Sequence, residues 1–387
     1  MKKLLIVTTI PDTLCAFFLP FASHFRAKGW RVDAMSCGIS TNKQCLQAFD
    51  NVWDVKWSRN PLDPTNLMVA PQQIRSCLAQ QEYDIVHVTT PVAAFVTRYA
   101  LNGWKQPNNL KVIYTALGFH FHRNGSPIKN SIFQGLEKLA GNWTDYVVTI
   151  NREDEEAAKR NRLVPEDRVR YIPGPGLDME RFNRNIVPSE DIARVRQELG
   201  LHPETPLFLA VAEFIPRKRH RDLLKAFARL ARRDVHLALA GTGPLMEQMR
   251  QLASELGIEN QVHFLGFRRD IPTLMCASVA TVLTSEQEGL PHCVLESLSL
   301  ETPVIGTDIR GTRDLVEGGC GLLVRLGDIE ALTAAIGWML GNSEATRIMG
   351  QRGRDKLAEC ELSQVLKQYE ALYTEVASVD SLVPSQV

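Results

Sequence analysis

Residues 173–206 read PGPGLDMERFNRNIVPSEDIARVRQELGLHPETP, and the fold turns on what this stretch interrupts. It is rich in proline, glycine and charge. Before it, KLLIVTTI (3–10), RVDAMSC (31–37), DIVHVTT (84–90), KVIYTAL (111–117) and DYVVTI (145–150) are near-continuous apolar runs, the pattern of parallel strands covered on both faces. Amphipathic segments fall between them at 16–28, 64–80, 91–102 and 129–141. After it the alternation restarts with LFLAVAEF (207–214), VHLALAG (235–241), QVHFLG (261–266), VATVLTS (279–285), PVIGTD (303–308) and GLLV (321–324). Repeated strand–helix units predict an α/β fold of two tandem, doubly wound, Rossmann-like domains. The boundaries expected are 1–180, a linker over 181–206, a second domain over 207–360, and a C-terminal helix and tail over 361–387 packing back toward the first domain. Ligands of such sheets bind beyond the carboxyl ends of the strands, so two facing sheets would put a cleft between the domains.

A chain of 387 residues can bury two full cores. Lysine plus arginine equal aspartate plus glutamate at 44 each, so no global field draws the protein to nucleic acid or anionic lipid. The eight cysteines form no C-x-x-C pair, which fits a reducing cytoplasm better than a zinc site or a disulfide framework. The opening MKKLLIVTTIP has too short an apolar run for a secretory leader and reads as a buried first strand. No stretch approaches the ~18 apolar residues of a membrane span. A surface contact with the membrane is carried only by FFLPFASHFRAKGW (17–30), whose pattern favours a core helix packed on the sheet.

The chemistry is densest in SEQEGLPHCVLES (285–297). VATVLTS ends a strand near Ser285, Pro291 suits the first turn of a helix, and HCVLESLSL continues it. On one helix, eight steps would part Glu288 and Glu296 by ~80° and ~12 Å, a poor geometry for a carboxylate dyad. With Glu288 in the loop, the two reach different parts of an extended ligand. The N–H groups around Gly289, Leu290, Pro291, His292 and Cys293 lie between them as an anion-attracting helix mouth. Carboxylate, anion site, carboxylate is the layout of a sugar nucleotide. The plain alternative is a solvated helix glutamate and a loop charge.

EGLPHCVLE (288–296) resembles the E-x7-E signature of retaining glycosyltransferases of family 4, which have the GT-B fold. Similar stretches run through nearly the whole chain: AGTGPL (240–245), NQVHFLGFRRDIPTLM (260–275), TPVIGTDIRGTRDLVEGGCGLLV (302–324) and VAEFIPRKRH (211–220). YTALGFHFHRNGSPIKN (114–130), LEKLAGNWTDYVVTINREDEEAAK (136–159) and VRYIPGPGLDMERF (169–182) resemble the branch that builds capsules and exopolysaccharides.

The resemblance implies an acceptor domain followed by a nucleotide-sugar donor domain. Glu288 would bind hydroxyls of the transferred sugar, Glu296 the ribose hydroxyls, and Lys218, assisted by Arg217, the leaving diphosphate. A fixed cation there would stabilise the charge that builds on the departing oxygen. Gly266 and Phe267 would lie near the nucleobase. Gly241 and Gly243 permit either close backbone approach or a tight turn. His120, His122, Asn151 and Glu153 are expected on the acceptor side of the cleft, with a helix cap as the alternative for Asn151. Two positions depart from the resembled motifs: Glu213 stands where many relatives carry arginine, and Leu117 where a histidine is usual.

The reading is a retaining hexosyl- or N-acetylhexosaminyl-transferase that needs no bound metal or cofactor. Its expected donor is a nucleotide-diphosphate sugar, UDP-linked before GDP-linked, and its acceptor a saccharide or lipid-linked saccharide at the inner membrane face; nucleic acid is not an expected partner. A glycoside hydrolase would use Glu288 and Glu296 as paired carboxylates. A nucleotide-sugar epimerase of the same fold would convert donor without acceptor, and a non-catalytic sugar-nucleotide-binding protein would hold it unchanged.

Overall fold

A computed structural model describes residues 1–58, 60, 63–104 and 110–378. The chain divides into two compact units, Met1–Gly176 together with the described residues from Ser363 onward, and Leu177–Leu362.

Unit one holds a seven-stranded parallel sheet of β1 (Lys3–Val7), β2 (Arg31–Ser36), β3 (Asn51–Asp54), β4 (Ile85–Thr89), β5 (Lys111–Ala116), β6 (Tyr146–Thr149) and β7 (Val169–Tyr171), in the order β3-β2-β1-β4-β5-β6-β7. Unit two holds β8 (Leu207–Val211), β9 (His236–Ala240), β10 (Val262–Gly266), β11 (Ala280–Leu283), β12 (Val304–Thr307) and β13 (Gly321–Val324), in the order β10-β9-β8-β11-β12-β13. In unit two the chain winds outward from β8, then returns to lay β11 on its other side. The loops after β8 and β11 therefore adjoin at the reversal of strand order, where ligands of such sheets bind. Unit one has the same reversal between β1 and β4.

Among the helices are α1 (Leu19–Ala27), α2 (Pro91–Leu101), α3 (Pro127–Gly141), α4 (Arg152–Arg160), α5 (Ser189–Glu198), α6 (His220–Leu230), α7 (His292–Ser299) and α8 (Leu362–Ser378). The 181–206 segment is not a linker. Its α5 buries Val195 in one core cluster with Leu201, Leu207, Leu209 and Leu274 of unit two. Charge and proline cover the outer face of this segment, so its composition alone conceals the apolar stripe.

The 17–30 segment is a core element rather than a membrane contact. Phe18, Phe21, Ala22 and Phe25 are buried. Phe21 meets Tyr369 at 5.1 Å and Phe25 meets Tyr373 at 5.0 Å, both tyrosines on α8. Beneath them runs a buried polar chain. The Tyr373 hydroxyl pairs with His87 Nδ1 (2.6 Å), His87 Nε2 with Thr115 Oγ1 (2.7 Å), and Thr115 Oγ1 with the Tyr369 hydroxyl (3.1 Å). Burial drives the His87 pKa down to about 3, so the ring is neutral and needs one donor and one acceptor. Removing a single hydroxyl leaves a buried ring nitrogen unsatisfied. Tyr373→Phe is expected to cost about 1–3 kcal/mol, read as a lower urea midpoint for unit one, whereas an exposed control such as Gln364→Ala should leave it in place. Residues 379–387 of the expected tail lie outside the described residues.

Candidate active site

The site is built where the loops after β8 and β11 meet. Leaving β8, the chain passes Phe214, makes one turn of 3₁₀ helix at Pro216–Lys218, and enters α6 through Arg219, whose φ of 53° is left-handed. His220, at the start of α6, stacks on Phe214 with ring centroids 4.2 Å apart, and burial lowers its pKa to about 4. This apolar floor fixes where Lys218 points. Its Nζ donates to Glu288 Oε1 at 2.5 Å, and both side chains are mostly covered, at 15% and 11% exposure. Arg217, one residue earlier, is exposed.

The glutamate loop is stitched in from both sides. Thr284 Oγ1 donates to the Lys218 carbonyl (2.9 Å) and the Glu286 N–H to the Arg217 carbonyl (2.8 Å). On the other side Thr307 Oγ1 donates to the Ser285 carbonyl (2.5 Å), and buried Arg310 donates through Nε to the Glu288 carbonyl (3.0 Å). Gly311, at φ 72°, sits so close that a Cβ there would lie 2.0 Å from the Gly289 carbonyl oxygen. Gly311→Ala therefore meets both left-handed strain of about 1–2 kcal/mol and a backbone collision. The expected result is a displaced 288–290 loop: a lower melting temperature together with a loss of turnover larger than the lost stability explains.

Leu290 and Pro291 are buried, and Pro291 is the N-cap of α7 rather than a residue of its first turn. Among the described residues no side-chain hydrogen bond caps this helix, and its positive end favours an anion. Glu296 lies just over one turn in, half-buried, and burial raises its pKa to about 7, with Arg181 pulling it partly back. Burial lowers the His292 pKa to about 4 and pushes the Cys293 thiol up to about 12. Besides burial, the Cys293 thiol feels the charges of Lys218, Glu288 and Glu296, so each of the three lies near the first turn of α7. Ser285 Oγ and Thr312 Oγ1 are buried without a hydrogen-bond partner among the described residues.

Gly241 and Gly243 serve backbone packing. A Cβ on Gly241 would meet the Ala212 carbonyl oxygen at 2.0 Å, and one on Gly243 the Phe214 backbone at 2.7 Å. Their contact is with the loop that carries Lys218, which they let settle; Glu213 in that loop is exposed. The Gly241 N–H donates to the Gly266 carbonyl (2.8 Å), bringing the 266–268 loop alongside, where Phe267 is 72% exposed. Arg268 is tied up by Glu198 and Asp270.

In unit one the structure joins the loops carrying the other expected residues. The Phe119 N–H donates to Asp154 Oδ2 and the Arg123 N–H to Glu153 Oε1, each at 3.1 Å. His120 is exposed with its ring against Phe133 (5.0 Å), His122 is half-buried and Leu117 half-buried. Asn151 does not face a cleft. It is wholly buried as the N-cap of α4, its Oδ1 accepting from the Asp154 N–H (2.8 Å) and its Nδ2 donating to Asp154 Oδ2 (2.9 Å). The strand-to-helix junction at Thr149–Arg152 needed a cap, and asparagine supplies it.

Sequence reasoning passed over Arg310, Thr284 and Thr307, which hold the glutamate loop. It also passed over Thr90, a β-branched residue at φ 65° whose Oγ1 accepts from the Thr9 N–H (2.9 Å) at the β1/β4 reversal. The one available signal was the Pro91 that follows, since a residue before proline is pushed from the helical region.

Two family models match the chain, "Glycosyl transferase 4-like domain" over residues 16–175 and "Glycosyl transferases group 1" over 191–356. A Bacillus subtilis protein named "Putative glycosyltransferase EpsD" is 33% identical over 98% of both chains. The chain belongs to glycosyltransferase family 4. An Escherichia coli relative, "UDP-Gal:alpha-D-GlcNAc-diphosphoundecaprenol alpha-1,3-galactosyltransferase", is 26% identical over 72% of this transferase and 72% of its own length. The fold is GT-B: a Rickettsia africae glycosyltransferase superposes with a TM-score of 0.81 at 18% identity, covering 98% of this transferase and 99% of that chain. Anabaena Alr3699/HepE, solved in complex with UDP, gives 0.77 at 21% identity over 97% and 100%. Among the described residues of the transferase, no group of three or more histidine, cysteine, aspartate or glutamate side chains is placed to hold a metal ion. No helix among them is long and apolar enough to cross a membrane.

Proposed function

We propose that this glycosyltransferase is a retaining hexosyl- or N-acetylhexosaminyl-transferase of surface polysaccharide synthesis, taking sugar from a UDP-sugar and passing it to a lipid-linked saccharide at the cytoplasmic face of the membrane. The observation that carries the reading is the Lys218–Glu288 pair held at the strand-order reversal beside the uncapped end of α7, with Glu296 one turn further along.

In this reading the diphosphate lies on the helix mouth, at Gly289, Leu290, Pro291 and His292, and takes Lys218 and Arg217 as counter-charges. Glu288, released from Lys218, accepts hydrogen bonds from sugar hydroxyls, and Glu296 accepts them from the ribose. Gly266 and exposed Phe267 flank the nucleobase. The bond from the anomeric carbon to the phosphate oxygen breaks while the acceptor oxygen bonds on the same face, and the acceptor's proton passes to the departing phosphate. His120, His122 and Glu153 bear on the acceptor. The leaving charge is met by side chains and backbone, so no metal is needed. UDP in the HepE structure and the diphosphoundecaprenol acceptor of the E. coli relative support the choices of donor and acceptor.

The test is a thermal-shift screen of nucleotide sugars, followed by transfer from each hit to extracted membrane lipids. Radiolabel from a UDP-sugar in a lipid-linked product, with the anomeric configuration kept, is the expected outcome. Conversion of the donor without any acceptor would make the protein an epimerase, and binding without either would make it non-catalytic.

A further inference from the structure

Cys15 and Cys45 lie 30 residues apart in sequence, yet their sulfurs touch, Sγ to Sγ at 3.6 Å. Both are free thiols, and theirs is the one thiol–thiol contact among the described residues. The sheet of unit one sets this up. β1 and β2 are parallel neighbours, with Val7 beside Met35, so the chain leaves both at the same end of the sheet. From β1 it enters a wide π-helical turn, Leu14–Phe18, that leads into α1; from β2 it enters a short helix, Lys43–Ala48. Buried Leu14 and Phe18 anchor the turn, and buried Ile39 and Phe49 anchor the chain on either side of the short helix. The two elements are thereby held with one cysteine of each facing the other.

Asn42 fixes the pair. It is the N-cap of the short helix, and its Oδ1 accepts both from the Cys45 N–H (3.0 Å) and from the Cys15 thiol (3.5 Å). One carboxamide thus holds the backbone of one cysteine and the side chain of the other. The thiols differ in access, Cys45 being wholly buried and Cys15 half-buried. Burial, and then the bond to Cys15, pushes the Cys45 thiol up to about 12, so it stays protonated. Two sulfurs fall short of a structural zinc site, which takes four ligands. Among the described residues no third histidine, cysteine, aspartate or glutamate is placed to build a metal site on them. Two touching thiols of unequal access have another chemistry, that of an attacking and a resolving cysteine.

We propose that Cys15 and Cys45 are a redox modification site, closed to a disulfide by hydroperoxides and reopened by thiols. The more accessible Cys15 sulfur, as thiolate, attacks the outer peroxide oxygen. The O–O bond breaks, the departing oxygen takes up the proton that the thiol gave up, and Cys15 becomes a sulfenic acid. The Cys45 sulfur then attacks that of Cys15. The S–O bond breaks, and the leaving hydroxide takes the Cys45 proton and departs as water. The two thiols lose two electrons and the peroxide gains them; an external dithiol reverses the change and is itself oxidised to a disulfide. Forming the bond asks the sulfurs to close by about 1.5 Å. The product ties the turn after β1 to the helix after β2, both at the end of the unit-one sheet where ligands of such sheets bind.

The test treats the full folded chain with hydrogen peroxide, quenches it, alkylates it in denaturant, and maps the digest by mass spectrometry. Two of the eight thiols should escape alkylation, and a peptide pair joined through Cys15 and Cys45 should appear. Dithiothreitol before alkylation should restore all eight. Cys15→Ser should give no joined pair and leave Cys45 fully alkylated. Cys45→Ser should stop at the sulfenic acid, which dimedone labels at Cys15 and labels far less in the parent. Cys45 is buried, so if Cys45→Ser does not fold, Cys15→Ser at the half-buried position carries the comparison alone. Loss of thiols at other cysteines with Cys15 and Cys45 intact would overturn the proposal. So would a bond between two chains in place of one within the chain, or a Cys15–Cys45 pair that forms only when peroxide is added to unfolded protein.

Discussion

Lys218→Ala is expected to lower kcat by about 10²–10³-fold while changing the donor KM far less. In the proposed function the ammonium meets charge that appears only as the glycosyl–phosphate bond breaks, so most of its stabilisation would belong to the transition state and little to the bound donor. The same substitution strips the mostly covered Glu288 carboxylate of its 2.5 Å partner. Lys218→Ala should therefore also lower the melting temperature modestly, by the cost of an unpaired, partly buried charge. Glu288→Gln removes the other half of the pair. Its amide can still accept one hydrogen bond from a sugar hydroxyl but carries no charge for Lys218 to balance. Each single variant should lose most turnover, and the double variant should lose little beyond the worse of the two, because each member's function presumes the other. Steady-state kinetics on the four proteins, with melting curves as the folding control, measure this directly. Additive losses would mean that the two side chains act on separate parts of the ligand, and near-parental rates in both singles would remove them from the chemistry.

What was legible in advance follows from burial. The four inner strands of unit two and the five inner strands of unit one stood out as apolar runs because central parallel strands are covered on both faces. The outer strands of unit two, β10 and β13, stood out because their sequences are apolar although they are mostly half-buried. The two that escaped, β3 and β7, are the outer strands of the seven-stranded sheet. NVWD, on β3, is half-buried to exposed and begins and ends in polar residues; VRY, on β7, is three residues long with a buried valine and two half-buried neighbours. Where an edge strand is short and polar, as edges often are, a search for apolar runs passes it over. At the site, sequence reasoning singled out the residues that the proposed function sets against the donor, because charge and spacing in E-x7-E and RKRH are local. It was blind to Arg310 and Thr307, which reach the glutamate loop from 22 residues away in sequence. It was also blind to Gly311, whose need to be glycine comes from a neighbouring loop's carbonyl. Asn151 shows the reverse error: a polar residue on the expected face of the right loop, used up in capping its own helix.

The donor KM is expected to rise as pH falls below about 7, approaching tenfold per pH unit, with the slope due to Glu296. Burial holds this carboxyl's pKa at about 7 in the free protein. Two ribose hydroxyls need an acceptor, and a carboxylate offers more acceptor sites than the acid does, so protonation weakens donor binding. The window is clean. The histidines nearest the site, His220 and His292, are held to about 4 by burial and stay neutral throughout, and the diphosphate diester of a sugar nucleotide does not titrate there. Linkage to folding has the opposite sign. The folded-state pKa of Glu296 lies above its unfolded value of 4.5, so the folded protein holds the proton more tightly. This group therefore reduces stability as pH rises from about 4.5 through 7. Glu296→Gln should consequently stabilise the free protein at pH 8, by about 1–2 kcal/mol after allowing for the half-exposed position of the carboxyl, while raising the donor KM and flattening its pH dependence. A variant that is more stable and binds less well is hard to obtain by damaging the fold. The pairing of those two results therefore assigns Glu296 to the ligand, and a KM profile between pH 6 and 8 identical to the parent's would withdraw it.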